Sequence, residues 1–273
     1  MRIPIILLLA VFIATEVNAE WTQLAPGMEL SRFSTKIRSP IGDSRITVLR
    51  IDPKLWKLTL TGTSWNNNTD KIAGNLTAKV WSEKLNLTAV INAGMFGADY
   101  TTHVGYLGTK SHVNNQRVNK YRSVAAFNPR KKGLAEFRIF DLDEPGVSMD
   151  AILLDYSSAV QNLRLIKRPG ENRWSQQKKM WSEAALGEDR SGRILFIYSR
   201  SPFTMHDFNQ ELLSAGIGLV AAQHLEGGPE AQLYIRSGDE VFDLFGSYET
   251  LFQENNANSN AWPIPNIIGV QPR

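Results

Sequence analysis

The chain has 273 residues, a net charge of +3 and no cysteine. Charge this close to balance is too small to argue for nucleic acid, which is not expected as a partner, and the missing cysteine excludes a disulfide-stapled fold. The length suffices for one large hydrophobic core or two small ones.

Met1-Arg2 is followed by an apolar run from Ile3 to Ala14 and then by Val17-Asn18-Ala19. One positive charge, an apolar core too short for a bilayer and a small-x-Ala end read as a secretory signal peptide. The expected organisation is a signal over residues 1–19 and one domain over 20–273. The mature chain is expected to carry no membrane span and to be periplasmic or secreted. No cysteine follows the apolar core, which excludes a lipid anchor. Sequons stand at Asn67, Asn75 and Asn86, but a cysteine-free exported chain points to a bacterial source, where they mean little.

Alternation over 45–51 and again over 55–61, broken by Asp52-Pro53, predicts a strand pair. Residues 66–68 form a polar loop. Residues 78–85 read as a helix with Val80, Trp81 and Leu85 on one face, and 87–91 as a strand ending at Asn92. The middle is strand-rich, with apolar runs at 123–127, 135–140 and 151–154. Residues 181–186 and 194–198 read as a hairpin whose tip is 187–192. Thr204 is a helix N-cap with Asp207 at the third helical position, ahead of the stripe Phe208, Leu212 and Leu213. Residues 219–225 and 232–235 read as strands flanking Glu226. The proline-bound segment 262–270 reads as an edge. Helices do not alternate regularly with strands. The fold class is therefore α+β: a strand-rich single domain with a mixed or antiparallel sheet core and a few flanking helices.

Common catalytic motifs are missing. There is no HExxH, no GxSxG and no GxxxxGK[ST]. Gly216 to Ala221 fits GxGxxA but leads from helix to strand, the reverse of a dinucleotide turn. Asp141 to Gly146 fails as a calcium loop, with Pro145 at the fifth position and Ile152 at the twelfth. The four histidines, His103, His112, His206 and His224, lack ligand spacing, so neither a metal nor a cofactor is expected. His103 and His112 lie in polar sequence and are expected to be exposed. His224 precedes Glu226 by two residues, which on a regular strand gives both the same face.

Two strand-end turns stand out. His224-Leu225-Glu226-Gly227-Gly228-Pro229-Glu230 places a carboxylate beside bare backbone, and Val90-Ile91-Asn92-Ala93-Gly94-Met95-Phe96 has the same design. Glycine there lets a ligand approach the main chain. Arg200, after the strand at 194–198, can fork two hydrogen bonds to a phosphate or carboxylate. Asn92 can donate and accept, and Glu226 is the natural acid, base or nucleophile. Such a set suits cleavage of a sugar bonded to phosphate. Each also has a structural reading: Asn92 as a turn cap, Arg200 in a surface ion pair.

In order and spacing, these segments resemble the phosphodiester glycosidase family. The resemblance rests on Asn92-Ala93-Gly94-Met95-Phe96, Val104-Gly105-Tyr106-Leu107, the Ala185 to Ile194 hairpin, Arg200, Leu225-Glu226-Gly227-Gly228-Pro229-Glu230 and Ile264 to Val270. It implies Glu226, Asn92 and Arg200 as catalytic residues. Gly94, Phe96, Gly105, His224, Gly227, Gly228 and Glu230 would line the substrate, a sugar phosphate or glycan. The chain departs from the family pattern at three places. Glu226 stands for an aspartate, Glu230 for a serine, and an arginine expected near Glu183 is absent. The expected function is an exported glycosidase-like hydrolase acting on a sugar–phosphate diester or related cell-envelope glycan. The alternative is a catalytically silent glycan-binding or envelope-assembly protein on the same fold.

Overall fold

A computed structural model describes residues 19–65 and 76–273. The expected leader as far as Asn18, the loop at 66–68 and the sequons at Asn67 and Asn75 lie outside the described residues.

In chain order the strands are β1 (Thr22–Ala25), β2 (Met28–Ser34), β3 (Arg45–Ile51), β4 (Trp56–Gly62), β5 (Ala89–Asn92), β6 (Leu107–Thr109), β7 (Val113–Asn115), β8 (Ser123–Pro129) and β9 (Phe137–Asp141). They continue as β10 (Tyr156–Asn162), β11 (Arg164–Lys167), β12 (Glu171–Asn172), β13 (Trp181–Asp189), β14 (Ile194–Phe203), β15 (Leu219–Gly227), β16 (Gln232–Ser237), β17 (Glu240–Phe245) and β18 (Asn266–Pro272). Helices α1 (Ala78–Leu85), α2 (Met149–Asp155) and α3 (Met205–Ser214) are interspersed. The strands form three antiparallel sheets. An eight-stranded sheet runs β1-β2-β3-β14-β13-β15-β11-β12. The two five-stranded sheets run β7-β6-β10-β8-β9 and β17-β16-β5-β18-β4.

The main core lies where the sheets face one another. Leu49, Phe196, Tyr198, Ala184 and Leu225 meet Ile91, Leu233 and Ile268 of one small sheet and Ala125, Phe127 and Val160 of the other. The opposite face of the large sheet packs Val48, Ile197, Ala185 and Ala222 against Phe208 and Leu212 of α3. Strands β13, β14 and β15 are thus buried on both faces, and their sequences read as near-continuous apolar runs for that reason.

Helix caps follow local chemistry. Thr204 Oγ1 accepts the Asp207 N–H at 3.1 Å, the cap expected for α3. Thr77 caps α1, which ends at Asn86 in the left-handed region (φ 49°). The Trp81 indole is fully buried beneath α1 and donates to the Ile264 carbonyl at 3.1 Å.

Three expectations change. Strands β3 and β4 form as read, but they belong to different sheets and do not pair. The run at 151–154 is part of helix α2, because Ser148 caps it by accepting the Ala151 N–H. The C-terminal segment is no edge: β18 lies between β5 and β4. Pro263 and Pro265 precede β18 and Pro272 is its last residue, so its interior amides remain free to donate.

Candidate active site

The centre of the site is the end of β15. Against β13, Ala184 pairs with Glu226 and Ala185 with His224, leaving Leu225 without a partner. This β-bulge rephases the side chains. His224 shares the face of Ala185, toward α3, whereas Glu226 shares the face of Ala184, toward the main core. The expectation of a common face for His224 and Glu226 is therefore corrected; alternation ends at the extra residue.

On the α3 side, His224 Nδ1 lies 2.7 Å from Glu183 Oε1, and the Trp181 indole N–H donates to Glu183 Oε2 at 2.8 Å. Burial pushes the Glu183 carboxyl up, opposed by the His224 charge. Burial is the largest influence on His224 and alone would discharge it, but the charge and hydrogen bond of Glu183, with the charges of Glu226 and Glu249, together raise the imidazole. Trp181 closes the group edge-on, its ring centroid 6.3 Å from that of His224.

On the other side of the bulge, Glu226 keeps some surface but is densely surrounded, and burial raises it to about 8 against the opposing His224 charge. Its Oε1 accepts the Gly227 N–H at 3.1 Å. Burial lifts Glu230 to about 7, and burial also raises Glu249. At neutral pH Glu226 is mostly protonated, which makes it an acid. The two glycines let neighbours close on the turn. A Cβ at Gly227 would stand 2.7 Å from the Trp181 ring. One at Gly228, whose φ is +65°, would stand 2.7 Å from Glu249 Oε2.

Asn92 reaches this turn through the main chain. Its amide donates to the Glu230 carbonyl at 2.9 Å, and its Oδ1 accepts the Gln232 N–H at 2.7 Å. Asn92 is 1% exposed, so it pins the Glu226–Glu230 turn onto β5 and presents no free amide.

Beyond Asn92 lies a network the sequence hid. Asn162 donates to the Ala93 carbonyl at 2.9 Å and faces His103 Nε2 at 3.2 Å, while His103 Nδ1 lies 3.0 Å from the Gly105 N–H. A neutral imidazole protonated at Nε2 donates to Asn162 Oδ1 and accepts the Gly105 N–H; the Gly105 carbonyl, also 3.0 Å from Nδ1, would instead require a proton on that nitrogen. His103 is fully buried, correcting the expectation of exposure, and burial lowers it to about 4. Gly94 (φ +149°) backs directly onto this pair, and any Cβ there would collide with Asn162 and His103. Gly105 is equally close-packed, 2.9 Å from Cβ to the Gln161 carbonyl. Phe96 bridges to His103 and stacks at 5.5 Å on Tyr100. The network adjoins the acidic centre, because the Leu163 carbonyl next to Asn162 accepts the His224 N–H at 2.9 Å.

Arg200 does not join Glu226. It lies within β14, and its guanidinium donates to Phe245 O, Asn256 Oδ1, Asn256 O and Asn258 O at 2.7 to 3.2 Å. It lines a separate hollow of about 500 Å³ with Arg32, Arg45 and Tyr198. The structure thus joins Asn92 to the glutamate turn and leaves Arg200 apart. Among the described residues no group of three or more His, Asp or Glu is arranged to hold a metal. No helix among them is long and apolar enough to cross a membrane.

Glu183, Trp181, Glu249 and Asn162 escaped the sequence reading. The signal for Glu183 was present: a lone charge inside the run from Ser182 to Leu186, matched by a lone histidine in the run from Leu219 to Leu225. Two such residues on buried strands are expected to pair.

Comparison with known structures gives the same architecture. The zebrafish N-acetylglucosamine-1-phosphodiester alpha-N-acetylglucosaminidase catalytic domain, auto-inhibited by its pro-peptide, is similar with a TM-score of 0.64 at 12% identity. That match covers 94% of this chain and 87% of the zebrafish one. A hypothetical protein from Synechocystis matches with a TM-score of 0.58 at 14% identity, over 95% of this chain and 65% of the other. A Burkholderia pseudomallei protein to which export has been ascribed matches at 0.52 and 10% identity, over 84% of this chain and 74% of the other. At these identities the likeness is one of fold. No curated protein sequence matches. The sequence model of the phosphodiester glycosidase family matches residues 85–271, which spans every site element from β5 to β18. The chain belongs to the phosphodiester glycosidase family.

Proposed function

We propose that this chain is an exported hydrolase that cleaves the glycosidic bond of a sugar–phosphate diester or a related cell-envelope glycan. Glu226 is the proton donor in this reading, and Glu230 is the second carboxyl of the turn. The observation that carries it is the placement of two half-buried carboxyls, Glu226 and Glu230, on one tight glycine turn within the segment that matches the family, both raised by burial. Two carboxyls on one turn can divide acid and base roles. A phosphate leaving group needs little protonation, whereas a sugar hydroxyl needs a full proton transfer. The raised acid therefore supports the glycan branch at least as well as the diester. The leader expected over residues 1–19 supports export.

The test is turnover of a panel of sugar phosphodiesters and glycosides by the wild type and Glu226→Gln. Loss of an acid at this position lowers kcat about 100- to 10,000-fold and leaves binding intact. Survival of turnover in Glu226→Gln overturns the role of Glu226.

A second reading, a silent glycan-binding protein, is favoured by one observation. The polar atoms of Asn92 and Arg200 are both engaged by main chain and loop. Binding of glycans with no turnover of any panel member by the wild type selects that reading.

A further inference from the structure

The hollow beside Arg200 has the attributes of a second ligand site. Five strands carry one transverse row of side chains on the main-core face. Arg32 pairs with Thr47, Thr47 with Tyr198, Tyr198 with Ala184, and Ala184 with Glu226. At about 4.8 Å per strand, Tyr198 stands roughly 10 Å from Glu226 and Arg32 roughly 19 Å. The near end of that row is the acidic centre. The far end opens into the 500 Å³ hollow, also lined by Arg45, Asp43, Asp243 and Ser201.

Packing separates the two ends. A Cβ at Gly246 would collide with the Gly228 carbonyl and stand 2.8 Å from Ser182 Cβ. The chain leaving β17 is therefore pressed against β13 and the glutamate turn, forming a wall. Arg200 fixes that wall by donating to Phe245, Asn256 and Asn258.

Arg200 and Ser201 are engaged within the protein, but two further guanidinium groups of the hollow are not. Among the described residues, neither the Arg32 nor the Arg45 guanidinium has a hydrogen bond or ion pair. The Tyr198 hydroxyl is buried at the hollow's lining beside the Arg200 guanidinium, without a hydrogen bond of full geometry. A buried hydroxyl without such a bond carries a desolvation cost that a bound acceptor relieves. Asp43 is occupied, accepting from the Arg45 N–H and from Ser201 Oγ. Three guanidinium groups face two carboxylates, so the hollow is net positive, opposite in sign to the ionised glutamate turn.

We propose that this hollow is an anion-binding site, distinct from the acidic centre, that takes a phosphate group with Arg32 and Arg45 as its forks and the Tyr198 hydroxyl as its buried donor. Guanidinium forks match phosphate oxygens in bidentate geometry. The proposal stands whether or not Glu226 is catalytic.

Calorimetric titration of the full chain with inorganic phosphate and with glucose 1-phosphate tests it. The wild type binds at least one of the two. The double variant Arg32→Gln/Arg45→Gln weakens binding at least about tenfold. Tyr198→Phe weakens it several-fold with little loss of thermal stability, because the hydroxyl makes no hydrogen bond of full geometry within the protein. Glu226→Gln leaves phosphate affinity unchanged. Tighter binding of glucose 1-phosphate than of phosphate marks a glycan-borne group as the occupant; equal affinity marks free phosphate. The proposal is overturned by absence of binding of both anions up to about 10 mM. It is equally overturned by affinity that the double variant does not change, or that Glu226→Gln abolishes.

Discussion

Replacing Glu226 by glutamine should change the pH dependence of stability more than its level at acid pH. A carboxyl whose folded value lies above its unfolded one favours the native state in its protonated form. That contribution is complete below the ordinary 4.5 and is lost as pH rises toward about 8. Between those limits the unfolded chain has released the proton and the folded chain still holds it. Each unit of separation corresponds to about 1.4 kcal/mol, which sets a ceiling of about 5 kcal/mol for this shift. Glu226 keeps some surface, and solvent screening reduces the figure to about 2 to 3 kcal/mol.

Glutamine keeps the shape and an oxygen for the Gly227 N–H but does not titrate. Urea denaturation of both proteins across the acid-to-alkaline range isolates the effect, since Glu230, Glu249 and the Glu183–His224 pair are common to both. The stability of Glu226→Gln minus that of wild type should be flat below about pH 4 and should grow by about 2 to 3 kcal/mol by about pH 9. Curves that stay parallel within about 0.5 kcal/mol refute the claim that burial holds this carboxyl neutral.

Three further outcomes follow from the geometry. Glu183→Gln removes the counter-charge of a buried imidazole and should destabilise the fold by about 3 kcal/mol; a nitrogen-resolved NMR titration should show the His224 imidazole titrating at lower pH than in wild type. Gly94→Ala drives a methyl into Asn162 and His103 at a φ of +149° and should cost about 2 to 4 kcal/mol by urea denaturation. Asn92→Ala frees the glutamate turn from β5 by removing two buried hydrogen bonds, and should cost about 2 to 3 kcal/mol in the same assay.

Much of the fold was legible because buried strands and capped helices leave local marks. The helix at 78–85 has the bounds of α1, Thr204 caps α3 as read, and the hairpin at 181–198 is β13 and β14. Sheet membership was not legible. β3 and β4 are separated by a four-residue turn, yet β3 pairs with β2 and the distant β14 while β4 pairs with the distant β18, a matter of non-local packing. The glutamate turn was legible from Gly227 and Gly228, but its phase was not. A bulge at Leu225 inserts one residue that no alternation pattern within β15 reveals, because both faces there are apolar. His103 was misplaced for a related reason. Its neighbours Thr101 and Asn114 are polar, and they serve a part-buried hydrogen-bond network around the His103 main chain. Arg200 was located on the right strand, but its donors were already matched to carbonyls that only the folded chain brings near.

The bulge and the wall together divide one sheet face into two electrostatic compartments. Were β15 regular, Glu226 would join His224 and Glu183 on the α3 side, adding a third titrating group to a pair already balanced. With the extra residue, the imidazole–carboxylate pair is closed behind Trp181, and Glu226 lies on the other face near Glu230, which in turn feels Glu249, while still within electrostatic reach of His224 and Glu183. Ionised, Glu226, Glu230 and Glu249 repel an anionic ligand; protonated, they do not. Values near 8 and 7 place the change close to neutrality, so a phosphate-bearing substrate at this turn binds with uptake of protons and is favoured as pH falls. A glycan uncharged at the scissile bond carries no such cost. The hollow lined by Arg32 and Arg45 lies on the far side of the Gly246 wall, where a phosphate is welcome at any of these pH values. The arrangement keeps the glutamate turn and the Arg32 and Arg45 guanidinium groups apart on one row of five strands, so that neither neutralises the other.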